Sequence, residues 1–127
     1  MEQLKKTIKI DCNKLTIHGK VDKLDSFYLN ADIIILPIIS GGGMKVKTAE
    51  ALMWGKNIIG TPEALEGYNL NEDIAITCKN ANDFIATIKE FSQKECMTYN
   101  IKARNLFKEK FSYESSLKSY KKLLNNE

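Results

Sequence analysis

The sequence is poor in the residues that build cross-linked or metal-bound small domains. Its 127 residues contain three cysteines, Cys12, Cys78 and Cys96, which are scattered and form no Cys-x-x-Cys pair. This argues against a disulfide framework and a zinc site, and it favours a reducing cytosol. No apolar stretch reaches membrane-spanning length, and the N-terminus lacks a signal-peptide pattern. We expect a cytoplasmic protein, soluble or at most peripheral at the inner face of a membrane.

Side chains for acid–base or nucleophilic catalysis are also scarce. His18 is the single histidine, and at the end of a predicted strand we interpret it as a packing residue rather than a base. One histidine cannot support a Ser/His/Asp or Cys/His arrangement, and no pair of carboxylates has a spacing that demands acid–base work. The Walker A pattern is absent, as is a Gly-x-Gly-x-x-Gly fingerprint in a useful context. No cofactor or metal is predicted.

Charge of either sign is modest overall but unevenly distributed. The net charge of +3 is too small to argue for a nucleic-acid partner. From Met97 to Glu127, however, seven basic residues stand against three acidic ones. Solvated helix faces are the favoured interpretation, and contact with an anionic membrane surface or an acidic partner is the alternative.

What the sequence does contain is an alternation of short apolar runs with helix-forming segments. Its 43% hydrophobic and 28% charged residues predict one globular domain, residues 1–127. Strands are predicted at 15–18, 32–36, 57–61 and 74–78, and the near-continuously apolar second one predicts burial on both faces. Helices are predicted at 24–30, from Val46 to Gly55, after Asn80 or Asn82, at 97–111 and at 112–125. Residues 62–67 are predicted to form a one-turn helix or a loop. The alternation predicts an α/β domain, a parallel sheet layered with helices, with ligands beyond the carboxyl ends of the strands.

The most informative stretch, residues 36–55, joins a strand to a helix through three consecutive glycines, Gly41, Gly42 and Gly43. Such a junction directs backbone N–H groups and the positive end of a helix dipole at one spot, which suits a phosphate. Lys45 and Lys47 add positive charge nearby, although their spacing prevents both from facing one ligand. Glu50 can accept two hydroxyl donors, as a ribose diol offers. The competing interpretation is a plain turn with Glu50 exposed to solvent.

A series of short motifs surrounds this stretch in a fixed order. They are Gly19 with Val21 and Asp22, a short Tyr-containing helix, Ala31-Asp32 opening a strand that ends at Pro37, Gly41-Gly42-Gly43-Met44-Lys45, Lys47, Glu50-Ala51, Gly55-Lys56, Ile58-Ile59-Gly60-Thr61 and Glu66-Gly67. The ordered set resembles the nucleotide-sugar-binding half of GT-B glycosyltransferases, specifically the large retaining family 4, or group 1, transferases. Any one motif is weak, and it is their order that makes the resemblance specific.

The resemblance implies a Rossmann-like donor-binding domain and a sugar transfer. The backbone at Gly19 and Val21 would border the nucleobase, and Glu50 would bind the ribose hydroxyls. The remaining donor-binding positions would be Gly41, Gly42, Gly43, Met44, Lys45, Lys47 and Thr61. The family transfers sugar from a nucleoside-diphosphate sugar to an acceptor with retention, usually without a required metal, in polysaccharide or glycoconjugate synthesis. The protein mainly stabilises the departing nucleoside diphosphate.

Two departures from the family pattern limit this expectation. Many members carry Glu-x7-Glu, and the first Glu would fall on Gly42, which removes one candidate catalytic carboxylate. From the resemblance we also expect the acceptor domain and the first two strands of the donor domain to be missing from this sequence, so the 15–18 strand should not touch the 32–36 strand. We expect a fragment that is inactive alone. A subunit of a split enzyme and a homodimer formed through open sheet edges remain open, and a non-catalytic nucleotide-binding or partner-docking module is the alternative function.

Overall fold

A computed structural model describes residues 15–94 and 98–125 of the chain. Helices and strands alternate through most of this range, as predicted, and the last helices follow one another. The elements are α1 Asp25–Asn30, β1 Ile33–Leu36, α2 Val46–Met53, β2 Asn57–Gly60, α3 Pro62–Leu65, β3 Ala75–Thr77, α4 Ala81–Gln93, α5 Ile101–Leu106, a π-helical turn Phe107–Phe111, and α6 Tyr113–Leu124. Among these described helices, none has both the length and the apolar character needed to cross a membrane.

The three strands form one parallel sheet in the order β1, β2, β3. Ile34 of β1 lies opposite Ile58 of β2, which in turn lies opposite Ala75 of β3. Because the strands are parallel, their carboxyl ends meet at one edge of the sheet. The glycine loop after β1 and Thr61 after β2 therefore begin at the same edge. The predicted fold class, a Rossmann-like parallel sheet layered with helices, is confirmed.

The predicted strand at 15–18 is wrong. Residues 15–21 form no regular element, and Leu15 remains 48% exposed. A strand needs a neighbour to pair its backbone groups, and none of the three described strands pairs with this segment. The expectation that it would not touch the 32–36 strand as a sheet neighbour agrees with this arrangement.

The two apolar strands β1 and β2 differ in how they are buried. Ile58 and Ile59 of β2 are both fully buried, as expected for a strand with neighbours on each side. In β1, Ile34 and Leu36 are buried but Ile35 is 40% exposed. The prediction that this strand is buried on both faces is therefore wrong. β1 lies at the edge of the described sheet, and no described residue fully covers the face to which Ile35 points.

The α2 helix packs its inner side on the sheet and ends at a glycine. Ala51 and Leu52 are fully buried in the core, as the apolar spacing predicts. Gly55 then adopts φ +62° and its amide donates to the Leu52 carbonyl oxygen at 3.0 Å. This is the left-handed helix end that glycine favours, and it confirms Gly55 as the end of the helix.

Helix starts follow the cap residues that the sequence offers. Asn80 accepts a hydrogen bond from the Asp83 amide at the start of α4, so the choice between Asn80 and Asn82 falls on Asn80. Ser112 caps α6 in the same way. The helix predicted at 97–111 begins at Ile101 and finishes in the π-helical turn. These caps satisfy amides that would otherwise lack partners.

Candidate functional site

The glycine loop is open to solvent at the carboxyl edge of the sheet. Gly41 and Gly43 have φ values of +101° and +77°, in the left-handed region that favours glycine. All three glycines are exposed. A Cβ added at Gly42 or Gly43 would meet no atom within 4 Å. The backbone of this loop is therefore accessible to a ligand at the point where α2 begins.

Lys45 folds back onto the loop that precedes it. Its ammonium donates to the carbonyl oxygens of Gly41 and Gly43 at 2.9 and 2.7 Å. It also lies 3.9 Å from a carboxylate oxygen of Glu66, and its side chain is only 15% exposed. Lys47, one residue further into α2 than Val46, is exposed. The two lysines thus have different surroundings, as their spacing predicts, and Lys45 fixes the loop conformation.

The segment after α3 supports the loop from behind. Gly67 adopts φ +82°, and a Cβ there would lie 2.7 Å from Cγ of Met44, so the methionine packs directly on the glycine. The next residue, Tyr68, donates its hydroxyl to the Lys45 carbonyl oxygen at 2.6 Å. The Glu66-Gly67 motif therefore has a local physical role, since it lets two residues of the loop rest against this segment.

Thr61 lies beside the start of the loop but is buried, with 6% exposure. Its hydroxyl donates to the Ile38 carbonyl oxygen and accepts a 3.2 Å hydrogen bond from the Ala64 amide. The residue thereby ties the chain after β1 to the first turn of α3. Its hydroxyl is used within the protein, so a direct contact of Thr61 with a ligand remains a prediction.

Glu50 is half-buried on α2 and has a definite partner. The hydroxyl of Tyr28 in α1 donates to Oε2 of Glu50 at 2.9 Å. Tyr28 is 5% exposed and stacks on Trp54 with ring centroids 6.1 Å apart and an angle of 4° between the planes. Burial, and then the neighbouring carboxylate, raise the pKa of Tyr28 far above its usual value. Glu50 is therefore not the plain exposed residue of the competing interpretation.

Gly19 and Val21 lie in the irregular segment that precedes α1. Along the chain, α1 and β1 separate this segment from the glycine loop. Val21 lines a shallow cavity of about 360 Å³ with His18 and Phe27. His18 meets the Phe27 ring edge-on at 6.4 Å but is exposed, so its interpretation as a packing residue remains a prediction. Phe27 in turn contacts Tyr28 edge-on at 5.8 Å. The described contacts thus connect this segment to Glu50 through α1.

Some of these contacts have no direct signal in the sequence. The Tyr28–Glu50 hydrogen bond joins residues 22 positions apart, and the only hint was a tyrosine in the short helix. In the sequence, Lys56 stands out only as part of the Gly55-Lys56 motif. It is 4% exposed, and its ammonium donates to the carbonyl oxygens of Ala31 and Thr98 at 2.8 and 3.0 Å. A charged residue that is buried and paired in this way is a structural clamp at the amino edge of the sheet.

The chemistry available at the carboxyl edge is recognition rather than proton transfer. The loop and the start of α2 suit an anion, and Glu50 retains acceptor capacity for hydroxyl donors. Within residues 15–94 and 98–125, no group of three or more His, Cys, Asp or Glu side chains is arranged to hold a metal ion. Binding of a ligand that carries both phosphates and hydroxyls at this edge remains a prediction.

Comparison with known proteins identifies the family of the chain. The model of a family described as glycosyl transferases, group 1, matches residues 1–94 of the chain. This match covers well over half of the 127 residues and includes every candidate site residue. No curated protein and no solved structure matches the chain.

Proposed function

The chain belongs to the group 1 glycosyl transferases, and we propose that the carboxyl edge of its sheet binds the nucleoside-diphosphate sugar that donates the sugar. The single observation that carries the proposal is the exposed glycine loop leading into α2. Its two left-handed glycines and unobstructed backbone leave room for a ligand at a helix N-terminus. A diphosphate is the part of such a donor that this environment favours most.

Each part of the donor has a residue whose chemistry suits it. The amides from Gly41 to Lys45 bind the diphosphate, with the exposed ammonium of Lys47 adding positive charge. Glu50 accepts hydrogen bonds from the ribose hydroxyls, because a carboxylate is an acceptor on both oxygens. The segment around Gly19 and Val21 borders the nucleobase. The transferred sugar lies near Gly42, where the family often has a carboxylate and this chain has none.

The proposed catalytic contribution is electrostatic. Amides aimed at the diphosphate stabilise the negative charge that develops as the sugar departs. The loop is open on its outer side, so we propose that an acceptor-binding domain or subunit supplies the opposite wall of the cleft. Polysaccharide or glycoconjugate assembly is the proposed setting. We expect the 127-residue chain alone to bind donor weakly and to transfer no sugar, and robust transfer by the purified chain would contradict this.

Donor binding is tested by calorimetry and thermal shift with UDP, GDP, AMP and NAD. Stabilisation by UDP or GDP, and not by AMP or NAD, supports the proposal. Glu50→Ala should weaken binding by about 1–3 kcal/mol, since it removes charge-assisted hydrogen bonds. Glu63→Ala is the matched control, because it removes an exposed carboxylate from α3 without touching the loop. Unchanged affinity in Glu50→Ala would contradict the ribose role.

The alternative is a non-catalytic partner-docking module, and α6 is the observation that favours it. This helix exposes Tyr113, Tyr120 and Leu124 at 77%, 67% and 81%, and lysines flank them. Contact with a second protein or with an anionic membrane surface would cover these side chains. A folded sample that responds to none of the four nucleotides would support this alternative over donor binding.

A further inference from the structure

A hydrogen bond between the side chains of Tyr28 and Glu50 joins α1 to the proposed ribose site. The phenol is almost completely buried while the carboxylate is half-buried. The donor is therefore held by the core, and the acceptor reaches toward the accessible side of α2. The buried hydroxyl donates a hydrogen bond of 2.9 Å to one carboxylate oxygen, and this bond restricts the rotation of the carboxylate.

The surroundings of Tyr28 make its hydroxyl position rigid. Trp54 stacks parallel on one side of the ring, and Phe27 meets it edge-on at 5.8 Å. Packed aromatic rings of this kind have few alternative orientations. Trp54 follows directly after α2 and thus comes from the same part of the chain as Glu50. The three aromatic rings hold the hydroxyl at a fixed point beside the helix.

We propose that Tyr28 is a positioning residue for ribose recognition: its hydroxyl holds Oε2 of Glu50 so that the other oxygen, Oε1, is presented to the ribose hydroxyls. The inference rests on the proposed donor binding and deepens it. Holding the carboxylate before the ligand arrives lowers the entropic cost of binding. The phenol is protonated at neutral pH, since the ordinary pKa of tyrosine is about 10 and burial raises the pKa of Tyr28 further, so the hydroxyl is a donor.

A positioning role of Tyr28 differs from a purely structural role in the part of the ligand whose binding it affects. A tyrosine that only packs α1 on α2 would change stability and leave the preference for ribose unaltered. A positioning residue must change the affinity for nucleotides that carry ribose hydroxyls and spare those that lack them. The ratio of affinities for UDP and 2′,3′-dideoxy-UDP, and for the corresponding GDP pair, measures this preference.

Tyr28→Phe is the test variant, because it removes only the hydroxyl. We expect calorimetry to show about a three- to tenfold loss of affinity for UDP or GDP, the range for one hydrogen bond. Affinity for the dideoxy nucleotides should stay at the wild-type value. Glu50→Gln should also reduce the ribose preference, and adding Tyr28→Phe to it should cause little further loss, since both act through one contact.

Tyr68→Phe is the matched control. It removes a hydroxyl that donates to the Lys45 backbone at 2.6 Å, from a ring that is 4% exposed. Its stability loss should resemble that of Tyr28→Phe, while its preference for ribose should equal that of the wild type. A second measurement uses the wild-type chain with labelled tyrosine rings. UDP or GDP should shift the Tyr28 ring resonances, and the dideoxy nucleotides should not.

The results of these experiments distinguish failure of the positioning role of Tyr28 from failure of the proposed donor binding. A Tyr28→Phe chain that keeps the full ribose preference, while Glu50→Gln loses it, overturns the positioning role and leaves donor binding intact. Identical Tyr28 resonances with UDP and its dideoxy form have the same meaning. Failure of the folded wild-type chain to bind any nucleoside diphosphate overturns the proposed function itself, and the inference with it.

Discussion

A glycine-containing turn lies at each end of α2, and the sequence alone does not distinguish the environments of the two turns. At the N-terminal end, Gly41 and Gly43 have positive φ values, and a Cβ at Gly43 would face open space. At the C-terminal end, Gly55 also has a positive φ, but a Cβ there would lie 2.5 Å from the Tyr99 ring. One turn is open at the carboxyl edge of the sheet, and the other is closed at the amino edge.

One lysine near each turn shows a similar contrast, although Lys45 at the open turn, like Lys56, donates to two backbone carbonyls. Lys47, close to the open turn, is exposed. Lys56, next to the closed turn, is buried and donates to two backbone carbonyls. The open turn therefore leaves its glycines and Lys47 accessible, while the closed turn buries both Gly55 and Lys56. Because ligands in parallel sheets bind at the carboxyl edge, the open turn is the one expected to carry function.

The largest effect on stability should come from filling the closed turn. Gly55→Ala places a methyl group against the Tyr99 ring in a left-handed conformation, and we expect a loss of about 2–4 kcal/mol in the free energy of unfolding. Urea denaturation measures it. Gly42→Ala is the control at the open turn, where the change should stay within about 0.5 kcal/mol. Equal losses in the free energy of unfolding for Gly55→Ala and Gly42→Ala would contradict the description of one turn as closed and the other as open.

The next largest effect should come from the buried lysine. Lys56→Met keeps the length of the side chain but leaves the carbonyl oxygens of Ala31 and Thr98 without this donor. We expect a loss of about 1–3 kcal/mol, the cost of buried acceptors left unsatisfied. Lys47→Met is the exposed counterpart and should leave the unfolding free energy nearly unchanged. A free energy of unfolding for Lys56→Met equal to that of the wild type would show that the two hydrogen bonds of Lys56 do not contribute to stability.

The smallest effect on stability, paired with a clear effect on binding, should come from Gly42→Val. A Cβ at Gly42 meets no atom within 4 Å, and Gly42 lies outside the left-handed region, so the fold should tolerate a larger side chain. The isopropyl group would occupy space that the donor sugar needs, and we expect about 1 kcal/mol weaker binding of a nucleoside-diphosphate sugar by calorimetry. Unchanged binding would remove Gly42 from the donor site.

The sequence predicts most elements because local signals determine them. Short apolar runs predict the strands of the sheet, and Asn80 and Gly55 indicate helix ends through backbone chemistry that needs no distant partner. The failures are equally physical. The 15–18 segment has strand-like residues but no described strand beside it, and Ile35 is apolar yet lies on an uncovered face. Pairing and covering depend on neighbours that a local pattern does not contain.

The candidate site shows the same division between local and distant information. The glycine loop between β1 and α2 follows from three consecutive glycines. The return of Lys45 onto the loop, the contact of Met44 with Gly67 and the hydrogen bond from Tyr28 to Glu50 do not. These contacts join side chains whose positions are set by tertiary packing, and they determine which of the predicted groups are available to a ligand.

The central claim is that the open turn, and not the closed one, binds a nucleoside diphosphate. An amide-resolved NMR titration of the 127-residue chain with UDP and with GDP tests it most directly. We predict shifts in the amides of residues 41–45 and of Glu50, with the amides of Gly55 and Tyr99 unchanged. Shifts confined to the Gly55 turn, or none at residues 41–45 at saturating nucleotide, would contradict the account.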